Sequence, residues 1–178
     1  MPSEHIAELK KWVTEFVPND NEGEAVLWGR AVELIGKNFG VQTHEVAILR
    51  LTPDERSLRF LTPKNLWPVG QIPLSSSNTL VARTVHEKRP VVINNFCAVP
   101  HASVFEGVPI AEDNRGDPIQ KIMSSPVIVA MKVIGVVQVS RKGKTPDEAG
   151  PDFTYPELHT LKTISDALAP CLLVCAKE

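Results

Sequence analysis

Cysteine is scarce in this chain of 178 residues: Cys97, Cys171 and Cys175 form neither a CxxC motif nor an even-numbered framework. A disulfide-held scaffold is thereby excluded, and a reducing compartment fits. Histidine is equally dispersed. His44, His86 and His159 are isolated, no HxxxH occurs, and Cys171 with Cys175 supply two ligands at one spacing without the further partners that a structural zinc needs. Metal binding therefore has no support. An excess of one charge is missing too: 19 Lys and Arg stand against 21 Asp and Glu, a formal net charge of -2 without long single-sign runs. This removes the electrostatic basis for a nucleic-acid surface. No apolar run approaches the roughly 20 residues that span a bilayer. The start, MPSEHIAELKKW, has no apolar h-region. A cytoplasmic protein with no membrane and no nucleic-acid partner is expected.

What is present centres on SSPVIVAMKVIGVVQVSR, residues 124–141. Residues 127–130 and 133–137 are mainly β-branched and read as two core strands of a hairpin, with Met131 and Lys132 at the reversal. Neither run alternates apolar with polar residues for most of its length, so both sheet faces should be covered. Gly135, inside the second run, predicts a bulge or a close approach to the backbone. Strand alternation sends Val133, Gly135, Val137 and Val139 toward one face and Ile134, Val136, Gln138 and Ser140 toward the other. The all-apolar face is expected to meet the terminal helices and the second face to meet a pocket.

The rest of the chain supplies partners for that hairpin. Ile6, Leu9, Val13 and Phe16 form one helical stripe before Pro18, and Asn21 with Glu24 resembles a capping pair for a second helix ending near Gly40. Residues 45–51 and 57–61 read as strands around the TPDER turn. Prolines 63, 68 and 73 prevent a regular inner strand over residues 62–74, where Trp67 offers a large flat surface. One of Ser75, Ser76 or Ser77 is expected to cap a short helix over residues 78–87, followed by a strand over 91–93. Residues 94–117 have no sustained periodicity, as in a binding loop or lid, and residues 118–123 are expected to add a helical turn. Thr154 and Glu157 form a capping box for a final helix, in which Pro170 should introduce a kink. One compact domain over residues 1–178 is expected, with 1–20 an additional helix on a core over 22–175.

In this order of elements, GQIPLSSSNTLVARTVHEKRPVVINN, SSPVIVAMKVIGVVQVS and FTYPELHTLKTISDALA resemble a GAF domain. The resemblance implies a PAS-related α+β fold: a central antiparallel sheet of five or six strands, terminal helices on one face, and loops and short helices over a pocket on the other. It also implies a sensory or regulatory role in signal transduction, binding an unidentified small molecule without catalysis, and a homodimer through the terminal helices. Too few residues follow Leu172 for an output module, so a separate signalling output protein is the expected partner. The cyclic-nucleotide-binding members carry Asn-Lys, then Phe, then Asp-Glu. The matching positions here are Ser140 and Arg141, Phe153, then Glu157 and Leu158, which keeps a basic–acidic pair without the full motif.

Trp67, Asn94, Asn95, His101, Asp113, Arg115, Gln138 and Ser140 are the candidate ligand-binding residues, and no cofactor or catalytic residue is assigned. Asn and Asp also satisfy loop backbone groups, and a tryptophan also covers core. The rival readings are a redox enzyme resembling free methionine sulfoxide reductase, with Cys97 and His101 four residues apart, and a ligand-free interaction module. The segment around Cys97, NNFCAVPHAS, lacks a fuller signature for bilin attachment.

Overall fold

The computed structural model describes residues 2–15, 21–76, 78–98 and 117–175. Its elements in chain order are α1 (Pro2–Glu15), α2 (Asn21–Phe39), β1 (Val46–Leu51), β2 (Ser57–Thr62), β3 (Gln71–Pro73), α3 (Leu80–Glu87), β4 (Val91–Ile93), β5 (Ile119–Val129), β6 (Lys132–Lys142) and α4 (Tyr155–Val174). The six strands form one sheet in the order β3-β2-β1-β6-β5-β4, with every neighbouring pair antiparallel. The expected α+β architecture with terminal helices on one face is therefore present.

Helices α1, α2 and α4 form the layer on one face. Leu27, Leu34 and Ile35 of α2 and Leu161, Ile164 and Leu168 of α4 are buried against Val46, Ile48, Val137 and Val139 of the sheet. Leu9 and Val13 of α1 join the same core, at 1% and 9% exposure. Ile6, Leu9 and Val13 of the α1 stripe are thus covered within one chain by α2 and α4, so their burial requires no second copy, while Phe16 lies outside the described residues. Gly40 at φ +64° takes the left-handed position that ends α2. Asn21 already lies inside that helix, and the Glu24 carboxylate accepts the Trp28 indole N–H at 3.0 Å.

The other face carries α3 and two smaller apolar clusters, one built on Leu49, Leu58, Phe60, Ile72, Val81 and Val136, the other on Leu80, Phe96 and Ile122. The cap of α3 is Thr79, whose side chain accepts from the Ala82 N–H, and not one of the preceding serines. Thr79 directly precedes the first helical residue, whereas the serine run ends two residues earlier. Residues 118–123 are expected to add a helical turn, but from Ile119 onward they begin the eleven-residue β5. Ile122 and Met123 point to opposite faces there, which a buried strand requires and a surface turn does not.

The β5–β6 hairpin differs from simple alternation in two respects. Its reversal lies at Ala130 and Met131, with φ of 47° and 67°, the pair of positive angles that matches a two-residue turn to strand twist. Val127 pairs with Gly135 but Ile128 with Val133, so Ile134 is an extra residue on β6. That bulge inverts the alternation on its far side. Val136 lies on the α3 face and Val137 and Val139 on the terminal-helix face, as expected, whereas Val133 joins the α3 side and Ile134 packs with the terminal helices.

At Gly135 strand β6 approaches its neighbours closely. A Cβ there would lie 2.5 Å from the Leu49 carbonyl oxygen and 3.2 Å from Leu172 Cδ1. Arg141, 8% exposed, joins four segments: it donates to the carbonyls of Pro151 (2.6 Å) and Phe39 (3.2 Å), meets Glu157 at 3.3 Å, and lies over the Phe153 ring at 4.0 Å. Glu157 also completes the capping box with Thr154. Helix α4 runs unbroken through Pro170.

Two stability measurements follow from these contacts. Gly135→Ala should lower the free energy of unfolding in urea by about 2 kcal/mol, because the Leu49 backbone has to move; an unchanged midpoint would show that β1 yields freely. Arg141→Met should cost about 3 kcal/mol by stripping donors from buried acceptors. Glu157→Gln, which keeps an acceptor at the cap, should cost under about 1 kcal/mol. Equal losses for the two variants would place the stabilisation in the ion pair instead.

Candidate functional site

On the α3 face the two apolar clusters are separated by a run of polar side chains. Thr84 and Ser124 are fully buried, and Gln138 is 5% exposed. Register places Ser124 opposite Gln138 across β5 and β6, and Thr84 reaches down from α3. The hydrogen bonds have a direction. The Thr84 hydroxyl donates to the Leu80 carbonyl at 2.8 Å, so the Ser124 hydroxyl, also 2.8 Å away, donates to Thr84 Oγ1. Ser124 Oγ in turn accepts from Gln138 Nε2 at 3.3 Å. A chain of this kind holds each rotor in one orientation. It leaves the Gln138 carboxamide oxygen without a hydrogen bond among the described residues. Ser140, next along the same face, donates to the Glu45 carbonyl at 3.2 Å.

Asn94 is occupied with backbone. Its amide donates to the Phe153 carbonyl and its carbonyl accepts the Phe153 N–H, both at 2.9 Å. This doubled bond fastens the end of β4 to the segment entering α4. Asn95 is exposed beside it. His101, Asp113 and Arg115 lie outside the described residues. The Cys97 thiol is exposed and donates to the Ile119 carbonyl at 3.0 Å. Cys171 and Cys175 are buried at the far end of α4, with Cys171 directed at the Val13 carbonyl of α1. Burial pushes both thiols up, that of Cys175 to about 12 with added repulsion from Glu24. Neither is poised as a thiolate.

Trp67 belongs elsewhere. It lies on the 3-10 segment Lys64–Val69, 54% exposed, and lines a cleft of about 820 Å³ between α2 and the β2–β3 edge of the sheet. Trp28, Phe60, Leu61, Arg59, Lys64, Glu22 and Glu24 also line it. Gln138 and Ser140 are on the opposite sheet face, so the candidate residues divide between two places. Sequence reasoning passed over Thr84 and Ser124 as ligand-site residues, although a serine in an otherwise apolar run of β5 marks a polar group that the fold has to satisfy. Trp28 carried no signal, because its place in α2 reads as core. Among the described residues no group of three or more His, Cys, Asp or Glu is arranged to hold a metal ion, and no helix is long and apolar enough to cross a membrane.

Known proteins share this architecture and differ in what they do. The GAF domain from an Acinetobacter phosphoenolpyruvate-protein phosphotransferase has a TM-score of 0.71 at 15% identity, covering 97% of this chain and 93% of its own. Residues 122 to 287 of a methyl-accepting chemotaxis protein score 0.62 at 16% identity, covering 97% and 96%. The free methionine-R-sulfoxide reductase from Neisseria meningitidis, in complex with its substrate, scores 0.66 at 12% identity, covering 97% and 89%. At such identities the likeness is one of fold. No curated protein matches the sequence significantly. The GAF domain family, however, matches residues 26–172. That span runs from the first turns of α2 to the last turn of α4 and takes in both sheet faces, and the chain belongs to the GAF domain family.

Proposed function

We propose that this chain is a sensory or regulatory GAF domain that binds a small molecule on the α3 side of its sheet, beneath residues 94–122. It passes the effect to a separate signalling protein and catalyses no reaction. The observation that carries the reading is the directional chain Gln138–Ser124–Thr84. Gln138 Oε1, at the end of that chain, has no hydrogen bond among the described residues and is not sealed from solvent, so a ligand donor could complete it. Asn95, His101, Asp113 and Arg115 are the ligand contacts this reading draws from the rest of the segment. Phosphotransferase and chemotaxis proteins among the similar folds support a signalling role. The reductase among them supports no catalytic assignment, since two of the three thiols here are buried under α1 and α2.

Protein purified without added ligand should show, by native mass spectrometry, a non-covalent adduct that denaturation removes. Gln138→Leu and Ser124→Ala should lose it, while Cys97→Ser keeps it. No adduct, together with no thermal shift from a broad metabolite panel, would sink the binding reading; an adduct lost only in Cys97→Ser would move the chemistry to that thiol.

The reading includes a homodimer through the outward sides of the terminal helices. Val26 of α2 and Leu173 and Val174 of α4 are 55%, 44% and 43% exposed, whereas Leu9 and Val13 of α1 are already covered. Light scattering at high micromolar concentration should give twice the chain mass, and Val26→Glu combined with Val174→Glu should give the monomer. A monomeric wild type would refute the pairing.

A further inference from the structure

The cleft between α2 and the β2–β3 edge is separate from the site proposed above and has a defined chemistry. Two indoles contribute to it, and both have their N–H groups engaged: Trp28 donates to Glu24 at 3.0 Å, and Trp67 reaches the Leu61 carbonyl at 3.4 Å. Trp28 is 3% exposed, so the ring surface open to a ligand is that of Trp67, with Leu61 as further apolar lining.

The charges around these rings do not cancel. β1 and β2 pair Arg50 directly with Arg59, two like charges side by side on the terminal-helix face. Arg50 is 6% exposed and is answered by Glu24 at 3.8 Å and by the Cys175 carbonyl at the end of α4. Arg59 has no hydrogen bond or ion pair among the described residues. Lys64 is the second cation of the lining, 5.6 Å from the Trp67 ring. Glu22 and Glu24 are its carboxylates, and Glu24 is already shared between Trp28 and Arg50, which is not part of the lining. Glu22 alone is left to answer Arg59 and Lys64, and the shortfall lies beside Arg59.

We propose that this cleft binds a planar aromatic carboxylate. Its ring would lie against the exposed face of Trp67, and its carboxylate would take the forked donors of Arg59. A neutral arene would use the rings and leave the cation unanswered. An aromatic cation would meet Arg59 and Lys64 across the cleft.

The probe is 2-naphthoate, titrated by calorimetry into the full chain, with 2-naphthalenemethanol as its neutral isostere. Naphthoate should bind, and the alcohol about tenfold more weakly, as expected for loss of a charge-assisted pair. Arg59→Gln should remove that difference, and raised salt should narrow it. Trp67→Ala should weaken both probes about tenfold. Arg59 and Trp67 are exposed, so both variants are expected to fold, which circular dichroism checks. Gln138→Leu, on the opposite face, should leave naphthoate binding unchanged. The proposal is overturned by no heat up to about 5 mM naphthoate, by equal affinity for the alcohol, by tighter binding of 2-naphthylmethylammonium, or by loss of binding in Gln138→Leu. The last result would assign the probe to the α3-side site instead. Loss of the native adduct described above would leave this cleft untouched.

Discussion

The extra residue at Ile134 is the constraint on which both faces of the sheet depend. By pairing Val127 with Gly135 and Ile128 with Val133, the bulge changes the phase of β6 part-way along its length. On the far side of it, Val137 and Val139 enter the helix-side core while Val136 and Gln138 turn to α3. Without the shift, Val133 would be carried to the side of the terminal helices and Ile134 to the side of α3, reversing the hairpin end relative to its base. Gly135 makes the bulge possible because the Leu49 backbone and Leu172 occupy the space that a side chain would need. The glycine is thus tied at once to β1, to α4 and to the partition of polar residues between the faces.

Arg141 performs the corresponding task at the other end of β6. A guanidinium has several donors in a rigid plane, and here they connect the end of α2, the segment at Pro151 and the first turn of α4. Phe153 stacks beneath the guanidinium, and Asn94 holds the Phe153 backbone from β4. The basic residue, phenylalanine and acid legible in the sequence as remnants of a nucleotide-binding pattern therefore work together in this structure as a clamp at the helix start. Their spacing is accounted for by packing and capping.

Much of this architecture was legible because it follows from periodicity. The stripe of α1, the capping box at Thr154 and the β-branched runs of the hairpin each name one structure on local grounds. What was not legible depended on contacts distant in sequence. Simple alternation could not place Val133 and Ile134, because the bulge is set by packing of β6 on Leu49 and Leu172. The sequence favours a serine cap for α3 because five adjacent polar residues all have suitable side chains, and only the path of the chain selects Thr79. Residues 118–123 suggest a helical turn because Pro118 obscures the start of a strand that its partner β6 defines. Trp67 and Gln138 were placed in one group because both carry groups suited to a ligand; the sheet lies between them.

That separation matters for how the sheet responds to charge. β1 contributes to both faces: Leu49 packs with the α3-side cluster, while its neighbour Arg50 points to the helix layer. Arg50 links the first turn of α2, through Glu24, to the last carbonyl of α4, through Cys175. A carbonyl at a helix C-terminus carries partial negative charge, so a buried guanidinium there stabilises the helix end. The same guanidinium is directly opposite Arg59, whose field is only partly screened at the cleft rim. An anion that neutralised Arg59 would therefore relieve a repulsion felt by the residue holding the end of α4, by Coulomb's law alone and without a new contact to that helix. On the α3 face, the polar chain ends at Gln138 of β6, opposite Ala47 of β1, so the two faces share a strand pair but no side chain.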